Sequence, residues 1–308
     1  MKKYVVILVL LLSFINAANA ETQPSVTVLV TDNFTHQTLL DKNVSFDKKQ
    51  NVIDLLRQQA PIKTAFGGAF VTAISGVELT NSPQGKEDWF YYINGIFSRV
   101  GGLNYVPKDG DMIWWDHHRW ENAAYVASVI GAYPNPFKSG YQGVVAPTTI
   151  VTTASFNNKA IALKDSLNGQ GVHDVTVVPF AKNITELNSK YVIVVGTWQE
   201  IKDDPKVMDL FKNSQKTGAF VRFSQQGISS LDIEGKATDA YPQGACILAL
   251  GGSFDDNLPV WLVTGTDENI VNQALDILIN KPTSIRSYAG VVVTTKGLIH
   301  VPVIKQKK

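Results

Sequence analysis

Asp116-His117-His118 is the densest run of metal-capable side chains in the chain, since imidazole and carboxylate are both transition-metal ligands. It lies within the segment WFYYINGIFSRVGGLNYVPKDGDMIWWDHHRW, Trp89 to Trp120, where two turn signals, Asn94-Gly95 and Asp109-Gly110-Asp111, separate runs of aromatic residues. Adjacent residues of a strand point to opposite faces, so Asp116 and His118 can converge while His117 cannot join them. A metal site is therefore not expected. Asp109-Gly110-Asp111 lacks the remaining oxygen ligands of a calcium loop and reads as a hairpin turn. The remaining His residues, 36, 173 and 300, are scattered, and no Gly-x-Ser-x-Gly, His-Glu-x-x-His, Cys-x-x-Cys or phosphate loop is present. Gly251-Gly252-Ser253-Phe254 follows a strand without the Lys that a phosphate loop needs. No catalytic residue is assigned, no cofactor is expected, and the chain reads as a binding protein rather than an enzyme.

The strands around those turns carry large rings on both faces. Trp89, Tyr91 and Ile93 share one face of their strand, and Phe90, Tyr92 and Asn94 the other. On the next strand Ile113, Trp115 and His117 oppose Trp114, Asp116 and His118. One face must bury against a helix. The other is covered by a second domain or is open to a wide, flat, partly apolar ligand, which rings hold with little loss of side-chain entropy.

The elements that position these strands divide the chain near residues 123–147. Ser25–Thr31 alternates with period two, Val44–Phe46 starts a second strand, and Asn51–Gln59 has apolar residues at helical spacing behind an Asn N-cap. Phe70–Ile74, Trp89–Ile93 and Met112–Trp115 complete an α+β domain, residues 21–122, with the order of a β-grasp. Gly131–Thr148, rich in Pro and Gly but carrying Tyr133, Phe137 and Tyr141, is an ordered connector. Residues 148–288 then read as an α/β domain of alternating strands and helices. Its helices are Asn158–Leu167, with Ile161 and Leu163 inward, Pro205–Asn213, and Asp267–Ile279. Two of its units, YVIVVGTWQEIKDDPKVMDLF and VWLVTGTDENIVNQALDIL, each run strand, Gly-Thr turn, helix. Residues 289–308 form a hairpin around Lys296-Gly297 and a basic tail.

The N-terminus carries export signals. Lys2 and Lys3 precede an apolar run, Tyr4–Ile15, and Ala18-Asn19-Ala20 is a small-x-small cleavage site, so residues 1–20 read as a signal peptide and the mature chain as extracytoplasmic. No Cys sits at the cleavage point to carry a lipid, and no later segment is long enough to span a membrane. Cys246 is the single cysteine, so core burial replaces disulfides. With 28 Lys and Arg against 27 Asp and Glu, and no internal basic run, nucleic acid is not an expected partner. The terminal Lys305-Gln306-Lys307-Lys308 reads as a solvated end. Asn33-Phe-Thr35, Asn43-Val-Ser45 and Asn183-Ile-Thr185 match the glycosylation pattern, which in a bacterium is a coincidence of composition.

The series Trp89-Phe-Tyr-Tyr-Ile-Asn94-Gly95, then Gly101-Gly102 and Tyr105, then Asp109-Gly110-Asp111-Met-Ile-Trp-Trp115, resembles the transcobalamin-like C-terminal domain, with its W-x-Y-x-x-N-G turn and D-G-D-x-I-x-W strand. VTVLVTD from Val26, NVIDLL from Asn51 and GGAFVTAISGV from Gly67 also fall where that family has them, so the resemblance spans about residues 25–117. It implies a β-grasp domain that closes over one face of a corrinoid, with cobalamin as the leading ligand. The contact candidates are Trp89, Tyr91, Tyr92, Phe97, Tyr105, Trp114 and His118, the last able to reach a bound cobalt. Asn94, Gly95, Asp109 and Gly110 are turn residues. On this reading the α/β half is the second jaw or docks a membrane transporter. The competing reading is an envelope scaffold whose α/β half binds cell wall or a protein partner. If Trp114 lies on an open binding face, Trp114→Ala should lose corrinoid affinity in a titration while leaving the thermal midpoint nearly unchanged.

Overall fold

The computed structural model describes residues 23–304 apart from 35, 83–84, 121–125, 182–183, 213 and 253–255. The expected signal peptide, the basic tail, Thr35, Asn183, and Ser253 and Phe254 of the glycine-pair motif lie outside the described residues. The chain is a mixed α+β protein. Its first half comprises β1 (Ser25–Asp32), β2 (Gln37–Ser45), α1 (Val52–Gln59), β3 (Ile62–Ala65), β4 (Phe70–Ile74), β5 (Val77–Glu78), β6 (Thr80–Ser82), β7 (Gly85–Ile93), β8 (Ile96–Phe97) and β9 (Met112–Arg119). The main sheet has the order β2-β1-β9-β7-β6, with β8 folded back on β7. β9 lies at its centre, parallel to β1 and antiparallel to β7.

Local chemistry accounts for α1. The Asn51 side chain accepts from the Asp54 N–H at 2.9 Å while the Asp54 carboxylate accepts from the Asn51 N–H, a reciprocal capping box. Val52, Ile53, Leu55 and Leu56 are buried against Tyr91, Ile93, Ile113 and Trp115, so one face of the β1-β9-β7 sheet is closed by this helix.

The second half comprises β10 (Thr148–Thr152), α2 (Asn157–Gly169), β11 (Val175–Pro179), β12 (Tyr191–Thr197), α3 (Trp198–Ile201), α4 (Pro205–Lys212), α5 (Ser214–Thr217), β13 (Val221–Ser224), β14 (Gly227–Leu231), β15 (Ala237–Tyr241), β16 (Gly244–Leu250), β17 (Val260–Gly265), α6 (Glu268–Asn280), β18 (Gly290–Thr294) and β19 (Gly297–Val301). Its sheet runs β11-β10-β12-β17-β16-β18-β19, parallel through β17 and antiparallel beyond it. The C-terminal hairpin is thus the outer part of this sheet rather than an appendage. The two strand-Gly-Thr-helix units are adjacent parallel strands, β12 and β17, but their helices diverge. α6 joins α2 on one face, while Ile201, Val207 and Leu210 after β12 pack on the other. Ile161, expected inward on α2, is exposed; Ala160, Leu163 and Leu167 make the buried stripe.

Residues 126–135 join the halves through backbone as well as side chains. Val129 N–H donates to Gly95 O and Phe97 N–H to Ala127 O, at 2.8 and 3.0 Å, on the side of the first sheet. Ile130 and Gly131 then donate to Ala289 and Tyr288 on the second. Gly95 has φ +82°, and a Cβ there would meet Val129 O at 2.8 Å, so turn and connector both require glycine. The aromatic face opposite α1 is therefore covered: Leu29, Tyr92, Phe97, Met112 and Trp114 share one apolar cluster with Val126, Val129, Leu248 and Val292.

Cys246, at the centre of β16, is fully buried, and desolvation pushes its thiol pKa far up. It should resist thiol reagents in the native protein and label stoichiometrically only on global unfolding, a difference that mass spectrometry across a denaturant series will read.

Candidate functional site

The turn residues of the aromatic segment converge on one buried polar network. Asn94, at φ +54° in the β7–β8 turn, donates from Nδ2 to Asp111 Oδ1 at 2.8 Å and to Gly140 O at 2.9 Å. Its Oδ1 accepts from Met112 N–H at 2.8 Å and from Asn135 Nδ2 at 3.1 Å. The other oxygen of Asp111 accepts from the Tyr105 hydroxyl at 2.6 Å and from Lys108 N–H at 2.8 Å. Asp109, the other acid of the turn, accepts from Ser25 N–H at 2.7 Å and so ties the turn to the start of β1. Burial, and then the Asp111 charge, push the Tyr105 phenol pKa up, so it stays a donor.

From this anchor the register of β7 on β9 pairs Tyr92 with Trp114, Tyr91 with Trp115, and Trp89 with His117. Tyr91 stacks on Trp115 at 4.7 Å and Tyr92 lies against Trp114 at 5.9 Å. All seven expected contact residues, Trp89, Tyr91, Tyr92, Phe97, Tyr105, Trp114 and His118, are buried, the most open being Phe97 at 9 %. The rings pack the two faces of the sheet, and no open aromatic platform exists among them. The reason is the connector, whose Val126, Val129 and Ala132 share one apolar cluster with Trp114 and Tyr92.

Asp116 and His118 converge as their spacing requires, and His117 takes the opposite face. His118 Nδ1 lies 2.8 Å from Asp116 Oδ2. Its ring is sandwiched between Phe34 and Phe90, at 4.3 and 4.4 Å, which closes it off from a cobalt or any other ligand. Asp116 also accepts from the Thr31 hydroxyl and from Phe34 N–H at 2.9 Å. Burial pushes the Asp116 carboxyl pKa up; His118, Thr31 and Phe34 oppose that shift. This is a structural pair in the core.

His117 forms the second pair. Its Nδ1 lies 2.8 Å from Asp32 Oδ1, on the residue beside it in the parallel register of β1 and β9. The ring rests 5.2 Å from Trp89, and Nε2 is buried without a hydrogen-bond partner, as His118 Nε2 also is. A carboxylate that fixes one imidazole nitrogen and leaves the other for a ligand is the arrangement that orients metal-binding histidines. Among the described residues, however, no three His, Cys, Asp or Glu side chains are placed to hold an ion.

His117 belongs to the wall of a cleft of about 700 Å³ at the seam of the two halves. Asp32, Asn33, His36, Val77, Glu78, Glu87 and Arg119 line it from the first half. Asp232, Ile233, Glu234, Lys236, Val303 and Ile304 line it from the β14–β15 turn and the C-terminal segment. Asp232 shapes that turn by accepting from the N–H groups of Glu234 and Lys236 at 3.0 and 2.9 Å. Arg119 reaches across to Glu234 at 3.4 Å. Five carboxylates against Arg119 and Lys236 make the lining acidic. None of these residues was a contact candidate. The one signal that pointed here was the opposite facing of His117 and His118.

Residues 50–119 match the family described as Domain of unknown function (DUF4430). The match takes in the Asn94-Gly95 and Asp109-Gly110-Asp111 motifs, and its description assigns no activity or ligand. No curated protein matches the chain. The chain is similar to a solved protein from Ruminococcus gnavus ATCC 29149, named as a candidate metal binding protein, at 14 % identity, over 31 % of this chain and 97 % of that one, with a TM-score of 0.25. A likeness of that size bears on neither fold nor ligand. Among the described residues no helix is long and apolar enough to cross a membrane.

Two variants separate core from site. Trp114 is fully buried, so Trp114→Ala should cost about 3–5 kcal/mol and lower the thermal midpoint, contrary to its behaviour on an open face. Asn94→Ala leaves Asp111 Oδ1 and Met112 N–H without their partner and should cost on the order of 3 kcal/mol in denaturant titration.

Proposed function

We propose that this is an exported small-molecule-binding protein that holds its ligand in the cleft between the first sheet and the β14–β15 turn, and that the ligand is a corrinoid. The observation that carries the reading is His117, oriented by Asp32 in the cleft wall with Nε2 buried and unpartnered, so that a small turn of the ring brings it to a ligand. A corrinoid brings its own metal, so one oriented imidazole from the protein suffices where a bare ion would need three or four ligands. The acidic lining suits aquocobalamin, a cation, and the polar rim suits the amide side chains of a corrin. The cleft volume falls in the range of small-molecule sites. It takes part of a corrin and leaves the rest to solvent.

Two further points support the reading. The order β2-β1-β9-β7, with α1 on one face and β9 parallel to β1, is that expected of a β-grasp. The motifs of the transcobalamin-like resemblance supply the strand that carries His117.

Titration of the purified mature protein with aquocobalamin, read by tryptophan quenching and corrin absorbance, tests this. Saturable submicromolar binding with a spectral shift is expected. His117→Ala should abolish the shift, and Asp32→Asn should weaken binding about 10–100-fold. Absence of binding, or a shift that survives His117→Ala, would overturn the assignment.

A further inference from the structure

The parallel strands of the second half end in a crevice of about 650 Å³ that is separate from the seam. β10 lies between β11 and β12. The chain leaves β10 through α2 towards the face shared with α6, and leaves β12 through α3 and α4 towards the opposite face. Two connections that depart to opposite faces open a gap at the carboxyl ends of the strands between them, and open α/β sheets bind their ligands there.

The walls of this gap have complementary chemistry. Thr153, directly after β10, is only 7 % exposed and lines the crevice, yet its hydroxyl has no hydrogen-bond partner. No side chain caps the 3-10 turn Ala154–Phe156 or the thirteen-residue α2 that continues it. The start of that helical run therefore presents N–H groups and the positive end of its dipole to the gap. Glu200 is the one charged residue among those lining the crevice, and Thr197 holds its carboxylate through N–H and hydroxyl donors at 2.8 and 2.7 Å. Pro179 and Phe180 add an apolar wall.

We propose that this crevice binds a free α-amino acid or a similarly small zwitterion. Its carboxylate accepts from the Thr153 hydroxyl and the start of the helix, its ammonium group faces Glu200, and its side chain lies along Phe180. The acid in the wall disfavours a multiply charged phosphate, which a helix start alone would accept.

Calorimetry and thermal shift on the full mature protein test the site, with the twenty amino acids, acetate and inorganic phosphate as probes, on wild type, Thr153→Val and Glu200→Gln. At least one amino acid should bind saturably and raise the midpoint. Thr153→Val should weaken that binding about tenfold or more without lowering the midpoint of the free protein, because the hydroxyl makes no bond in the fold. Glu200→Gln should weaken the amino acid and spare the matching carboxylate that lacks an amino group. The proposal fails if no amino acid binds, if both variants bind as wild type does, or if acetate and phosphate act as strongly as any amino acid, which would mark an oxyanion effect only.

Discussion

The hydrogen bond between Asn94 and Asp111 is the constraint on which the rest of the molecule depends. Both side chains are buried, and each makes its remaining bonds to a different segment: the start of β9, the Tyr105 loop, Lys108, Asn135 and Gly140. A buried carboxylate without these partners would carry a desolvation cost that no local rearrangement offsets. The network therefore fixes the turn after β7, the register of β7 on β9, and the seat of the connector at once. With the connector seated, the second half is held over Trp114 and Tyr92, and the aromatic face becomes core.

That covering separates the two neighbouring histidines. His118 is enclosed with Asp116 between two phenylalanine rings and contributes to packing. His117, one residue earlier and on the other face, stands with Asp32 at the seam, where the β14–β15 turn supplies the opposite wall. The same alternation of a strand that encloses one imidazole in the core sets the other, also buried, in the wall of a cleft.

Much of the scaffold was legible in the residue pattern. Asn51 and Asp267 marked the starts of α1 and α6, and both act as caps in the structure. The Asn94 and Asp109 turns fall where their chemistry placed them. The alternation of β1 and the continuous apolar runs of β12 and β17 were equally plain. Other features were not legible, for physical reasons. β14 and β15 are short, and β15, ATDAY, is half polar and exposed, so no alternation announces it. Ile161 shares a helix with a small buried Ala160, and the smaller residue, not the larger, faces the core. The cleft joins residues 32 and 117 to residues 232–236, and no local spacing encodes a seam between distant segments. Nor does a sheet's own sequence say whether its second face meets a ligand or another domain.

The most direct test of the account is hydrogen exchange by mass spectrometry on the purified protein with and without saturating aquocobalamin. Protection should appear in both halves at once, in peptides covering residues 31–36, 115–119 and 230–236. Protection confined to one half, or none at the seam, would contradict a ligand site built from both.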